Sequence, residues 1–165
     1  MGDWNGELSP WKADPVFGKV PFAGNADSTL SLLEEVLREL KKDHPFDTVI
    51  LGGYSLAGLF ALYASCVSDS FDGIAAVSPS VWFDGFRGFA EEKECRAKQV
   101  YLSLGDREHL TKNKRMATVK DSMEHVALLL GDKAFLEYNP GNHFQDPAGR
   151  TAKGFVYLLE HKKAS

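Results

Sequence analysis

Cysteine is nearly absent from this chain: Cys66 and Cys95 are the only two among 165 residues. Two thiols without metal-ligand spacing make neither a disulfide framework nor a zinc site, and a reducing, cytoplasmic setting is the expectation. Long apolar runs are missing too. Nothing approaches the roughly 20 residues needed to cross a bilayer, and Met1 is followed by Gly2-Asp3-Trp4-Asn5 rather than by a basic and then apolar signal region. No membrane partner is expected. Basic stretches are equally scarce: 19 Lys and Arg stand scattered among 23 Asp and Glu, for a formal charge of −4. No stripe is left to neutralise a run of phosphates, which speaks against nucleic acid as a partner.

The composition is that of an ordinary globular protein, 44% hydrophobic and 25% charged, and a chain of this length buries enough surface to fold without staples. There is no internal repeat, low-complexity segment or linker, so residues 1–165 are read as a single domain. No metal or organic cofactor is suggested.

The first 25 residues hold three prolines, four glycines, two tryptophans and two phenylalanines, which suits an irregular but packed segment. From Asp27 or Ser28, either of which can cap a helix, Leu30, Leu33, Leu37 and Leu40 fall on one face until Lys41-Lys42 and Pro45. Residues 48–52 form a short, β-branched, glycine-closed strand, and residues 56–67 an apolar helix of the kind packed under a sheet. Further strands are expected at 73–78, 99–105 and 134–138. A helix over 112–130 carries Met116, Val119, Met123, Val126 and Leu130, and a last one runs from Pro147 to Lys162. Helices alternating with strands in this way predict an α/β fold, a mostly parallel sheet with flanking helices.

Within that frame Gly52-Gly53-Tyr54-Ser55-Leu56-Ala57-Gly58 lies where a buried strand gives way to an apolar helix. A sharp turn there strains the serine backbone and requires small residues two before and two after it, which Gly53 and Ala57 supply. Taken alone, such a turn is as compatible with a serine capping a helix; strand before and apolar helix after favour a nucleophile. The Leu56 N–H would then face a developing oxyanion. A nucleophilic serine needs a base. Of five histidines, His143 stands on the turn after the last strand, where this fold carries its base. His44, His125 and His161 read as solvated surface residues, and His109 follows the strand expected to carry the acid. In that loop Glu108 is the first choice for the acid that orients the imidazole and Asp106 the second, with a serine–histidine pair alone as a third arrangement. Tyr54, Trp4 and Trp82 are candidate substrate contacts; Trp82 with Phe83 would wall a small apolar pocket over Ser55 or serve as core.

The segments Gly53-Tyr-Ser-Leu-Ala-Gly-Leu-Phe-Ala-Leu, Val77-Ser-Pro-Ser-Val-Trp, Leu102-Ser-Leu-Gly-Asp-Arg-Glu and Gly141-Asn-His-Phe together resemble the esterases of the α/β-hydrolase superfamily that are similar to enterochelin and ferric-siderophore esterases. The resemblance runs from about Val49 to His143. It implies a serine esterase with Ser55 as nucleophile and His143 as base; members that lack a conventional acid leave Glu108 open. The segment Asp3-Trp4-Asn5-Gly6-Glu7-Leu8-Ser9-Pro10-Trp11 resembles the loop after an early strand that gives the second oxyanion donor, here the Trp4 or Asn5 N–H. It also implies strands ahead of this segment, so the expectation is a small α/β-hydrolase fold that is either minimal or short of its first strands; in the second case an exposed sheet edge would invite a homodimer. The siderophore itself does not carry over, since a large catecholate calls for a basic, roomy site. The expected reaction is hydrolysis of a small ester; thioesterase or amidase action, or a non-catalytic binding or assembly role on the same fold, are the alternatives.

Overall fold

The computed structural model describes residues 3–16 and 18–161. Phe17, in the aromatic N-terminal segment, and Lys162, the expected end of the last helix, lie outside the described residues. The N-terminal segment is more regular than its composition suggested. It forms a short helix α1 (Trp4–Leu8) and two-residue strands β1 (Lys12–Ala13) and β2 (Phe22–Ala23), paired antiparallel. Elements this short carry no periodicity, and tertiary contacts hold them. Trp11 Nε1 donates to the Asp84 carbonyl at 2.8 Å, and its ring meets Phe83 and Phe89 at 5.9 and 5.5 Å.

Next comes α2 (Ala26–Asp43), whose Leu30 turns into the core. Asp27 does not cap this helix; it accepts a hydrogen bond from the Tyr63 hydroxyl, and Asn25 stands at the cap position. Four strands follow: β3 (Ile50–Tyr54), β4 (Gly73–Val77), β5 (Gln99–Gly105) and β6 (Ala134–Asn139). They are joined through α3 (Leu56–Val67), α4 (Phe86–Glu92) and α5 (Val119–Leu130), and α6 (Pro147–Glu160) closes the described chain.

All pairings among these four strands are parallel, in the order β3-β4-β5-β6. The central β4 and β5 are buried along their whole length, as their continuous apolar sequences require, while β3 and β6 are mostly half-buried. β3 starts two residues later than the sequence suggested because Asp72 occupies Val49. The Val49 N–H donates to the Asp72 carboxylate at 3.0 Å and the Asp72 N–H returns to the Val49 carbonyl at 2.8 Å. Likewise α5 does not begin at Lys112. The Asn113 side chain accepts from the Arg115 and Met116 N–H groups and holds that stretch in a turn that competes with the helix.

The larger core cluster joins the strands to α2, α3, α4 and α5 through residues such as Leu59, Phe60, Ile74, Leu102, Leu104 and Met123. α6 packs its Leu158 against Ala75, Val77 and Tyr101 in a second, smaller cluster. Parallel strands joined by crossovers bring all four carboxyl ends to one edge of the sheet, where ligands bind in open α/β sheets. Ser55, Ser78, Glu108 and His143 follow those four ends in turn. No helix among the described residues is long and apolar enough to cross a membrane.

Candidate active site

Ser55 sits between β3 and α3 with φ 59° and ψ −120°, a conformation that side chains other than glycine rarely adopt. The turn is closed by the Ser55 N–H donating to the Val77 carbonyl at 3.0 Å and by the Leu59 N–H donating to the Ser55 carbonyl at 3.1 Å. Its tightness explains Gly53: a Cβ there would stand 2.5 Å from the Ala57 carbonyl carbon and 2.6 Å from its Cβ. Leu56 opens α3, so its N–H belongs to the first helical turn and has no acceptor within the helix. Ser80 supports the serine from the β4 side. Its N–H donates to the Ser55 carbonyl at 3.1 Å, and the two hydroxyl oxygens are 3.3 Å apart.

His143 lies in the turn after β6 with Nε2 3.1 Å from Ser55 Oγ and Nδ1 2.8 Å from Glu108 Oε2. Serine, imidazole and carboxylate thus form one hydrogen-bonded line. Glu108 is held on its other oxygen as well, where Oε1 accepts from the Ser78 hydroxyl at 2.6 Å, the Gly105 N–H at 2.7 Å and the Arg150 guanidinium at 3.4 Å. Its side chain is only 3% exposed. Burial, the largest single influence, raises its pKa; the hydrogen bonds from His143, Ser78 and the Gly105 N–H and the His143 charge outweigh it. The carboxyl therefore sits below its ordinary value and ionised. Ser78 reaches Glu108 from a strained backbone at φ 43°.

Asp106 is placed differently. It accepts from the Gly141 N–H at 2.7 Å, so it ties down the histidine turn without reaching the ring. Tyr54, expected to touch substrate, gives its hydroxyl to the His143 carbonyl, and burial raises its pKa. Trp82 and Phe83 belong to the core, at 9% and 3% exposure, with Phe83 edge-on to Phe22. Trp4 is exposed in the first turn of α1, and Asn5 beside it is half-buried; α1 packs against α3, which begins at the Ser55 turn. His44 and His161 are exposed. His125 is not a solvated surface residue as expected: 19% exposed, it has Nε2 2.8 Å from Glu91 across the α4–α5 packing. His109 is half-buried one residue beyond Glu108.

Three contributors escaped the sequence reading. In sequence Ser78 reads as the end of a strand and Ser80 has no evident role, and Arg150 lies 42 residues from the carboxylate it touches. Phe144, 80% exposed and edge-on to the His143 ring at 5.4 Å, is a further exposed aromatic surface beside the imidazole.

A parallel α/β sheet with a strained serine at the end of one strand and a histidine after another defines an α/β-hydrolase fold, and the comparisons with solved structures agree. The siderophore hydrolase EstA from Aspergillus nidulans superposes with a TM-score of 0.75 at 22% identity, covering 97% of this chain and 67% of that one. An IroE-like serine hydrolase from Shewanella oneidensis gives 0.72 at 16% identity, over 98% of this chain and 58% of the other. The enterobactin esterase FES from Shigella flexneri, with 2,3-dihydroxy-N-benzoyl-glycine, gives 0.66 at 21% identity, over 82% and 39%. This chain therefore spans between 39% and 67% of the length of these three structural neighbours. No family model and no curated protein sequence matches it.

Proposed function

We propose that the chain is a serine hydrolase, in the first place a carboxylic ester hydrolase acting on a small ester. The observation that carries this reading is the continuous line from Ser55 Oγ through His143 to a buried, ionised Glu108. In the reaction His143 Nε2 takes the Ser55 proton as Oγ attacks the ester carbonyl, and the carbonyl oxygen becomes an oxyanion facing the Leu56 N–H. The Trp4 or Asn5 N–H, in the first turn of α1, serves as second donor. His143 then hands its proton to the departing alkoxide, leaving an acyl-Ser55. Water, activated by the same imidazole, adds to the acyl group and releases the acid. Glu108 holds the Nδ1 proton and stabilises the imidazolium without taking the proton itself.

Labelling with a fluorophosphonate probe, wild type beside Ser55→Ala, tests the reading. Wild type should label and Ser55→Ala should not, with both folded; absence of labelling in the folded wild type refutes it and favours a binding role. Short acyl esters, thioesters and amides then separate the acyl chemistries, and siderophore esters enter the screen because EstA is a siderophore hydrolase. A reducing, cytoplasmic setting accompanies the proposal, supported by the free Cys66 and Cys95. So does self-association along the outer edge of β3, which sedimentation velocity would read as a dimer.

A further inference from the structure

We infer that Arg150 is a positioning residue that fixes the acid and the base of this site relative to one another, an inference that rests on the serine hydrolase reading above. Its guanidinium bonds the acid and, at the same time, the turn that carries the base. Nη1 donates to Glu108 Oε1 at 3.4 Å and to the Asn142 carbonyl at 3.2 Å, and Nη2 donates to the Pro140 carbonyl at 2.8 Å. Glu108 follows β5 and His143 follows β6, so the two loops are separate pieces of chain. Arg150 reaches them from a third element, α6.

Neither burial nor helix chemistry accounts for an arginine at this position. The side chain is 4% exposed, and a guanidinium withdrawn from water is costly unless its donors are matched. It also stands in the first turns of α6, four residues after the Asp146 cap, where the helix dipole disfavours a cation. The position makes sense through its acceptors. A rigid planar fork with five donors on separate nitrogens can reach one carboxylate oxygen and two carbonyls that lie apart, whereas an ammonium offers its three donors from a single point on a flexible stem.

The rest of the histidine turn is held as if to the same end. The Gly141 N–H donates to Asp106, the Arg107 N–H donates to the Gly141 carbonyl at 3.1 Å, and Tyr54 holds the His143 carbonyl. Arg150 is the member of this set that also touches the acid. Without it, the Pro140 and Asn142 carbonyls lose their guanidinium donors, and the turn carrying His143 gains the freedom to shift against Glu108. A displacement of about 1 Å between reacting groups costs on the order of a hundredfold in rate.

The experiment compares wild type, Arg150→Gln, Arg150→Lys and Lys153→Met on a chromogenic acetate ester, with thermal melts for all four. Lys153 lies on the same helix and pairs with Glu137, so it controls for loss of a cation and of helix stability. Arg150→Gln should lose on the order of a hundredfold in kcat with KM within about twofold. Arg150→Lys should recover part of that loss, and Lys153→Met should behave as wild type. The low-field proton signal of the His143–Glu108 hydrogen bond should be present in wild type and lost or broadened in Arg150→Gln. Equal kcat in wild type and folded Arg150→Gln, or a loss confined to KM, overturns the inference while wild-type fluorophosphonate labelling leaves the hydrolase reading standing. Wild type that fails to label instead removes the reading itself. Failure of both Arg150 variants to fold makes the residue a structural anchor and likewise overturns the inference.

Discussion

Replacing Glu108 by glutamine tests the charge relation in the site with almost no change of shape. The amide must choose which way to face. Glu108 Oε1 accepts from the Ser78 hydroxyl, the Gly105 N–H and Arg150, whereas Oε2 meets only His143 Nδ1 among the described residues. Turning the NH₂ toward the first group would oppose two N–H donors that cannot become acceptors, at about 1–3 kcal/mol for each group left unsatisfied. The glutamine oxygen therefore takes the Oε1 place and its NH₂ faces His143. Nδ1 must then accept, which puts the imidazole proton on Nε2, against Ser55 Oγ. In that tautomer the ring cannot take the serine proton. The corresponding asparagine substitution in chymotrypsin-like proteases costs about 10⁴ in kcat, or about 5 kcal/mol of barrier, and the same order is expected here. The assay is kcat on a chromogenic acetate ester, with the rate of fluorophosphonate labelling as a check independent of deacylation. Folded Glu108→Gln within tenfold of wild type in both would refute the reasoning and return the site to a serine–histidine pair.

Asp106→Ala removes a cap on Gly141 but no contact to the imidazole, so kcat should fall by less than tenfold; a loss above a hundredfold would mark Asp106 as the acid. Because the Glu108 carboxyl is held below its ordinary value, the unfolded chain binds that proton more readily. The group thus contributes stability above its unfolded pKa of about 4.3 that is lost as pH falls through the lower folded value. Urea midpoints at neutral pH and near pH 3 should therefore fall further in wild type than in Glu108→Gln, and the reverse order would contradict the assignment. Burial pushes the Cys66 thiol up to about 11, leaving roughly a thousandth of it as thiolate at pH 8. Iodoacetamide should then modify Cys66 of the folded protein on the order of a hundred times more slowly than a free thiol, and alkylation at the free-thiol rate would refute the burial argument.

The fold was legible wherever a hydrophobic pattern was long enough to have a period. Residues 56–67 and 99–105 are α3 and β5 to the residue, since a helix apolar all round and a continuous buried strand leave few alternatives. Boundaries moved where a side chain intervened, as Asp72 did at β3 and Asn113 before α5. The short α1 and the β1–β2 ladder were invisible because contacts from distant residues, Asp84 to Trp11 for one, hold them. At the site, Ser55, Glu108 and His143 could be singled out because the strand-to-loop order names their places. Glu108 and Asp106 could not be told apart in the sequence, for both lie in one loop; folding separates them, burying Glu108 against the His143 ring with 3% of its side chain exposed and leaving Asp106 54% exposed on the Gly141 N–H.

That separation is a consequence of how tightly the end of β5 meets the histidine turn. A Cβ on Gly105 would stand 2.5 Å from the Gly141 carbonyl oxygen and 2.9 Å from Glu108 Oε1. The two loops therefore approach through bare backbone, and the Gly105 N–H is exposed to the carboxylate that curls back over it. Glu108 in this place is surrounded by donors and keeps its charge in spite of burial. Asp106, pointing across the gap and more than half exposed, accepts from the Gly141 N–H and has the Arg107 guanidinium 3.8 Å away. A larger residue at 105 would push the loops apart and weaken the hydrogen bonds that join them, from the Asp106 N–H to the Asn139 carbonyl and from the Arg107 N–H to the Gly141 carbonyl. Which carboxylate meets the His143 ring is thus decided by a glycine, through the closeness it permits, as much as by the carboxylates themselves.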